Sequence, residues 1–261
     1  MGRKVIPYPA GGNPSLPGAE ISRLLQHASG RDSMPPHMSR ADLLLNMYQS
    51  MLDRLGPSHW WPGETPFEVA VGAILTQNTN WGNVERAIAN LKATGNLAPD
   101  AMLALPDAEL AELIRPSGYY NMKAKRLKQL LLWLQDTCDG DIANLGSMEV
   151  NAARTALLSV KGVGPETADS IALYAAGLPT FVVDAYTLRI YSRHGLIPED
   201  TDYHTLRDYF MDVLPHDPHL FNEYHALIVR VAKDWCKKGT PRCEDCPLAK
   251  FLDTHPNGGR A

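Results

Sequence analysis

The amino-acid sequence predicts an all-α fold. Apolar residues recur at three- and four-residue spacing along most of the chain from Ser39 onward, with helix caps and breakers between the periodic stretches. Only residues 180–183 read as a strand, and four residues are too few to build a sheet. With 261 residues and 44% hydrophobic composition the chain can bury a substantial core, as one large domain or two small ones. No fixed-period repeat interrupts that reading.

Residues 1–38 come first. They are rich in Gly, Pro and Ser, with one helix-like stretch at 19–27, and read as a mobile extension. Their composition lacks the continuous apolar run of a signal peptide or membrane span, which predicts an intracellular protein with no membrane partner. Ser39 then suits an N-cap before Asp42, and Leu43, Leu44, Met47, Met51 and Leu55 follow at helical spacing. Residues 67–77 form a mostly apolar helix and 83–93 an amphipathic one, with short helices at 101–105 and 108–114. In 122–136, Leu127, Leu130, Leu131 and Leu134 share one side, while Lys123, Arg126 and Lys128 lie elsewhere; Lys123, Lys125 and Arg126 read as a solvated or phosphate-facing set. Helices at 151–159, 166–176, 185–194, 203–214 and 222–235 complete the series.

Net charge is −4, which speaks against a protein that coats nucleic acid indiscriminately but leaves room for one local binding face. Such a face is readable at 158–172. There Gly162 and Gly164 stand one residue apart, around Val163 and after Lys161, between a helix that ends and one that starts at Pro165. A tight turn of this kind directs successive backbone N–H groups outward, a phosphate-binding concavity that needs no net positive charge. Further on, Asp184 follows Val182 and Val183 and opens the next helix; as a residue alone it reads as an N-cap. Four cysteines are present, three of them as Cys236, Cys243 and Cys246. In a chain without a secretion signal that clustering reads as a metal or cofactor site rather than a disulfide framework.

The hairpin, its Gly/Pro-rich turn and the aspartate beyond it resemble the helix-hairpin-helix superfamily of base-excision DNA glycosylases, over roughly Pro66 to Pro247. The resemblance implies a six-helix barrel domain over 66–183 and a second helical domain from 39–65 and 184–261, with a cleft between them that holds Asp184. It implies that Asp184 is the catalytic carboxylate, stabilising the oxocarbenium-like sugar as an N-glycosidic bond breaks. Relatives that also cleave the strand carry a nucleophilic lysine just after the hairpin. Glu166 stands at that position here and cannot form a Schiff base, so the resemblance predicts a monofunctional enzyme that leaves an abasic site. Lys161 is left as a phosphate-facing or solvated lysine.

Gln77, in Ile74-Leu-Thr-Gln-Asn-Thr-Asn-Trp81, and Tyr119, in Pro116-Ser-Gly-Tyr-Tyr-Asn-Met-Lys-Ala-Lys-Arg126, resemble the loops that fill the gap behind an extruded base. Read alone, Gln77 is a helix C-cap and Tyr119 a partly buried aromatic. Trp60, Trp61 and Trp81 supply indoles that can sandwich a flipped base, and a purine made cationic by methylation gains cation–π attraction there. The combined wording is most similar to the 3-methyladenine DNA glycosylase III branch, which adds Lys237 and Glu166 to the expected pocket and alkylated purines as the expected substrate. Mismatch- or uracil-directed excision, and non-catalytic binding of damaged DNA, are the alternative functions. Duplex DNA carrying a damaged base is the expected partner of a monomer.

The spacing of Cys236, Cys243 and Cys246 is similar to the first three ligands of the [4Fe–4S] loop in endonuclease III relatives, but Leu252 occupies the fourth position. Cys138, Asp253 and His255 are the other donors within the sequence's reach, and a zinc site or a loop without metal stay open as alternatives. The resemblance implies that the loop, with Lys237, Lys238 and Arg242, is structural and faces DNA.

Overall fold

The computed structural model describes residues 38–58 and 63–252. Residues 1–37 of the extension, Trp60, Trp61, Asp253 and His255 lie outside the described residues. The α-helices in chain order are α1 (Arg40–Leu55), α2 (Pro66–Leu75), α3 (Trp81–Ala93), α4 (Pro99–Ala104), α5 (Asp107–Leu113), α6 (Tyr120–Cys138), α7 (Val150–Leu158), α8 (Pro165–Ser170), α9 (Ala185–Arg193), α10 (Tyr203–Met211) and α11 (Pro218–Asp234). Short 3-10 turns lie at Arg115–Ser117, Ile142–Ser147 and Ala249–Phe251, and a π-helical turn at Ile171–Ala175. The fold is all-α, and among the described residues no strand is formed. No described helix is long and apolar enough to cross a membrane.

The described residues fall into two compact units, one spanning 63–179 and the other 38–58 with 180–252. In the first, α2 is the central element. Thr65 caps it through the Glu68 N–H and Pro66 opens it, while Val69, Ala70, Val71, Ile74 and Leu75 are all buried. A helix apolar on every side needs neighbours on every side, and α3, α6 and the π turn pack against it. The one charge it buries, Glu68, is matched by Lys92 at 2.9 Å.

The second unit is built on α11, which packs against α1 and α9. Phe181 stacks on Phe210 at 4.1 Å, and Tyr224 sets its hydroxyl 2.8 Å from that of Tyr191 while donating to the Leu44 carbonyl at 2.6 Å. Each buried phenol thus has its polar end satisfied. Arg230 closes the C-terminus of α1 by donating to the Leu55 and Gly56 carbonyls at 2.6 and 2.8 Å.

Local physics displaces several of the expected boundaries. The last helix starts four residues before 222 because Asp217 accepts the Leu220 N–H and Pro218 takes the first helical position. Residues 166–176 are not one regular helix. After Ser170 the turn widens, the Ala176 N–H reaches the Ile171 carbonyl, and Ile171, Ala172, Leu173 and Ala175 all become buried. Residues 180–183 are fully buried yet join no ladder: Arg207 donates to the Thr180 hydroxyl at 3.0 Å, and the Phe181 N–H meets the Met211 sulfur at 3.2 Å.

Candidate functional site

In the first unit, α7, the turn and α8 form a helical hairpin. Gly162 takes φ +96, and a Cβ there would lie 2.5 Å from Arg126 Cγ, so both backbone conformation and space demand glycine. Val163 is buried and pins the turn, whereas Lys161, Gly162 and Gly164 are exposed. Arg154 on α7 clamps the two helices through the wholly buried Asp169 carboxylate on α8 at 2.9 Å. Glu166 is exposed on the first turn of α8.

Gln77 does not cap α2; the Thr76 N–H and hydroxyl do that at the Gly72 carbonyl. Its amide nitrogen instead donates to the Gly162 carbonyl at 3.1 Å and the Thr167 hydroxyl at 3.0 Å, and its carbonyl oxygen accepts from Arg126. The Gln77 loop is therefore wired to the hairpin. Tyr119 is 65% exposed in a left-handed conformation, φ 48, directly after Gly118 at φ 69. A bulky residue held there is strained, and the surroundings that hold it also keep its ring in solvent.

Lys123 corrects the expectation of a solvated or phosphate-facing lysine. It is 1% exposed and donates to the Leu75 carbonyl at 2.8 Å and the Ser117 carbonyl at 2.7 Å. Those acceptors each lie two residues before Gln77 and Tyr119, so one buried ammonium anchors both loops. Burial, helped by the neighbouring Arg126 charge, lowers its pKa to about 8. Lys128 likewise donates to the carbonyls of Met102, Leu103 and Leu105 at the end of α4. Trp81 opens α3, packs against the core of the first unit and lines a cavity with Glu68, Glu85, Ile88, Ala89 and Lys92, apart from Gln77 and the hairpin turn.

In the second unit, Asp184 caps α9. Its Oδ1 accepts the N–H groups of Tyr186 and Thr187 at 2.9 and 2.8 Å and the Thr187 hydroxyl at 3.0 Å, and the Thr187 hydroxyl also faces the Asp184 N–H in a capping box. Oδ2 is left on the other side, 3.4 Å from Nε2 of the buried His225 on α11. Burial presses the carboxyl upward, but His225 and the Thr187 bonds outweigh it and hold Asp184 below the ordinary carboxylate value. The result is an ionised carboxylate with one oxygen committed to the fold and one beside an imidazole.

Cys236, Cys243 and Cys246 line one cavity in the same unit, and Leu252 lines it too. Arg193 donates to Cys236 Sγ at 3.4 Å, and the Leu248 N–H to Cys246 Sγ at 3.5 Å. Arg189 and Arg193 hold the loop by donating to the carbonyls of Cys236, Lys237 and Lys238. Lys237 is exposed on that loop. Burial pushes the Cys246 thiol up, the Leu248 N–H pulls it down, and Cys236 and Cys243 push it up again, so the thiol form is favoured here. Among the described residues no three His, Cys, Asp or Glu side chains converge tightly enough to hold a single ion. A zinc ion draws its sulfurs in to about 2.3 Å, whereas a polynuclear cluster spreads them around a larger body. Three thiols and one hydrocarbon line this cavity, one donor short of the four that such a cluster takes. Cys138 packs into the core of the first unit and is not among the residues lining this cavity.

The sequence profile described as HhH-GPD superfamily base excision DNA repair protein matches residues 71–216. The chain belongs to that superfamily. Among HhH-GPD relatives, a Methanocaldococcus jannaschii protein described as a DNA repair glycosylase is 45% identical over 221 residues, 82% of this chain and 97% of the relative. A trapped endonuclease III–DNA covalent intermediate shares the fold at TM-score 0.69 and 23% identity, covering 85% of this chain and 98% of that one. The H. pylori 3-methyladenine DNA glycosylase bound to 1,N6-ethenoadenine aligns at TM-score 0.64 and 28% identity, covering 75% of this chain and 98% of that one. This HhH-GPD chain is a DNA repair glycosylase.

Sequence reasoning missed His225, which sits in the apolar run Tyr224-His-Ala-Leu227 with no local link to Asp184. It also missed the Arg126–Gln77–Gly162 chain. The signal available for that was the pair of glycines, since a turn that excludes a Cβ leaves room for a neighbouring side chain to lie across it.

Proposed function

We propose that this glycosylase is monofunctional: it hydrolyses the N-glycosidic bond of a base extruded from duplex DNA, favours alkylated purines, and leaves an abasic site. The observation that carries the reading is the Asp184 carboxylate, held ionised despite its burial, with Oδ1 saturated by the α9 cap and Oδ2 facing His225. A fixed negative charge of this kind stabilises positive character developing at C1′, and Oδ2 orients a water for attack. Glu166 in place of an amine supports hydrolysis without strand cleavage. A cationic methylated base leaves readily, so such an enzyme needs little acid assistance and discriminates by stacking. The likeness to the H. pylori enzyme supports that substrate class.

The exposed turn at Gly162 and Gly164 offers backbone N–H groups to a phosphate, while Gln77 and Tyr119 enter the space behind the extruded base. Trp60, Trp61, Trp81 and Lys237 stay as proposed contributors to the base pocket. Cys236, Cys243 and Cys246 would hold an iron–sulfur cluster, whose contribution when bound is to stabilise the C-terminal loop rather than to take part in excision.

The test is base release from duplex oligonucleotides carrying 3-methyladenine, 7-methylguanine, uracil or hypoxanthine, by the wild type and by Asp184→Asn. Asparagine caps a helix as well as aspartate does, so the variant keeps α9 and loses only the charge. Release of methylated purines that vanishes in the variant, with strand scission only after alkali, is expected. Release of uracil alone would move the substrate assignment, and no release from any substrate would leave a binding protein.

A further inference from the structure

The hairpin turn depends on a side chain from another loop. Gly162 has no Cβ and takes φ +96, so nothing intrinsic to it fixes the peptide group that follows. That group is tied at both ends instead. Its carbonyl, from Gly162, accepts from the Gln77 amide nitrogen at 3.1 Å, and its N–H, from Val163, donates to the Val160 carbonyl at 3.0 Å. In the chain it stands between the N–H groups of the exposed Gly162 and Gly164, so its plane sets the angle between them. Gln77 is itself held in one orientation. Its nitrogen also donates to the Thr167 hydroxyl on α8 at 3.0 Å, and its oxygen accepts from Arg126 on α6. A guanidinium carries donors only, so it fixes which end of the amide is oxygen and turns the nitrogen toward the hairpin.

We propose that Gln77, held by Arg126, is a positioning residue for backbone binding: it sets the hairpin turn in the conformation that meets the duplex, before any base leaves the stack. The inference rests on the reading that this turn contacts a phosphate of duplex DNA. It separates two uses of one side chain, since an amide bonded to the Gly162 carbonyl and the Thr167 hydroxyl cannot at the same time fill the space behind an extruded base. Work on the turn therefore comes first, and entry into the gap breaks these bonds. Arg126 serves the turn twice. Its guanidinium orients Gln77, and its stem lies across Gly162, where a Cβ would meet its Cγ at 2.5 Å.

The experiment compares the wild type, Gln77→Met, Arg126→Met and the double variant, each as the full chain. Methionine keeps the unbranched apolar stem of each side chain and removes its polar end. Binding of an undamaged duplex, which offers no gap to fill, is titrated at fixed salt, and hydrogen exchange of the Val163 amide is followed in the free proteins. Gln77→Met should exchange that amide several-fold faster and bind the undamaged duplex about five- to tenfold more weakly, the worth of one hydrogen bond. Arg126→Met should speed the same exchange, and the double variant should exchange no faster than the faster single one, because both act through one amide. Wild-type affinity and exchange in Gln77→Met would overturn the inference, leaving the side chain to serve damage alone. Weaker binding with unchanged exchange would overturn it too, since Gln77 would then touch DNA directly. Faster exchange with undiminished affinity would show a turn that Gln77 orders but the duplex does not contact, and the reading of the turn as a phosphate site would fall along with the inference built on it.

Discussion

Lys123 gives a prediction whose size can be worked out from the structure. Its pKa of about 8 in the folded chain lies below the ordinary 10.5, mainly because burial penalises the ammonium. Between those values the unfolded chain binds the proton and the folded chain does not, so raising the pH through this window favours the folded form. Below about 8 both forms are protonated and the term is flat. Integrating the difference in bound protons from pH 7 to pH 9.5 gives a gain of about 2 kcal/mol. The neutral amine still has hydrogens to donate to the Leu75 and Ser117 carbonyls, so the anchoring geometry survives the loss of charge. Lys123→Met removes the titrating group and strands both acceptors, and it should be the less stable protein at pH 9.5. Thermal unfolding of the two proteins across this range, in otherwise identical buffers, cancels every titration they share. The gap between them should widen by about 2 kcal/mol, or about 4–8 °C in Tm for a domain of this size. A gap that stays constant from pH 7 to pH 9.5 would refute the argument.

Three further outcomes follow from the same geometry. Gly162→Ala places a methyl group against Arg126 at a positive φ and should cost about 1–3 kcal/mol of stability; duplex binding should weaken with it, and normal affinity in a titration would show that the turn is not a contact. His225→Gln removes a group that helps hold Asp184 ionised, so burial then dominates and the Asp184 pKa rises. Activity, present above that pKa and lost as the pH falls through it, should fail at a higher pH than in the wild type, and an unmoved acid limb in the rate profile would dismiss the role of His225. Glu166→Lys restores an amine at the position after the hairpin; borohydride should trap the variant on damaged DNA but leave the wild type untrapped, and trapping of the wild type would contradict hydrolysis.

Much of this architecture is legible in the sequence because its signals are local. Ser39 and Asp184, read as caps, both accept an N–H from the first turn of the helix that follows them, as short polar side chains at such positions do. The two glycines of the hairpin announce their turn for the same kind of reason. Lys123 was illegible because its role depends on two carbonyls supplied by Leu75 and Ser117, one of them 48 residues away. A lysine on an amphipathic helix reads as solvated until the tertiary structure brings acceptors that can hold an ammonium in the core. His225 was hidden similarly, since its partner Asp184 comes from a different helix. The wide turn after Ser170 has no propensity signal at all: Ile171-Ala-Leu-Tyr-Ala175 suits an ordinary helix, and only the demand to bury four of those five residues explains the change of pitch.

The sequence contains 25 lysines and arginines, yet Lys123, Lys128, Arg189, Arg193, Arg230 and Arg242 all spend their donors on backbone carbonyls. Cations tied to their own fold displace few counterions from a nucleic acid. Each phosphate neutralised by a side-chain charge steepens the fall of log affinity with log salt by about 0.9, whereas a phosphate held by the N–H groups of a glycine turn adds nothing to that slope. These six cations therefore add little to the salt dependence of duplex binding.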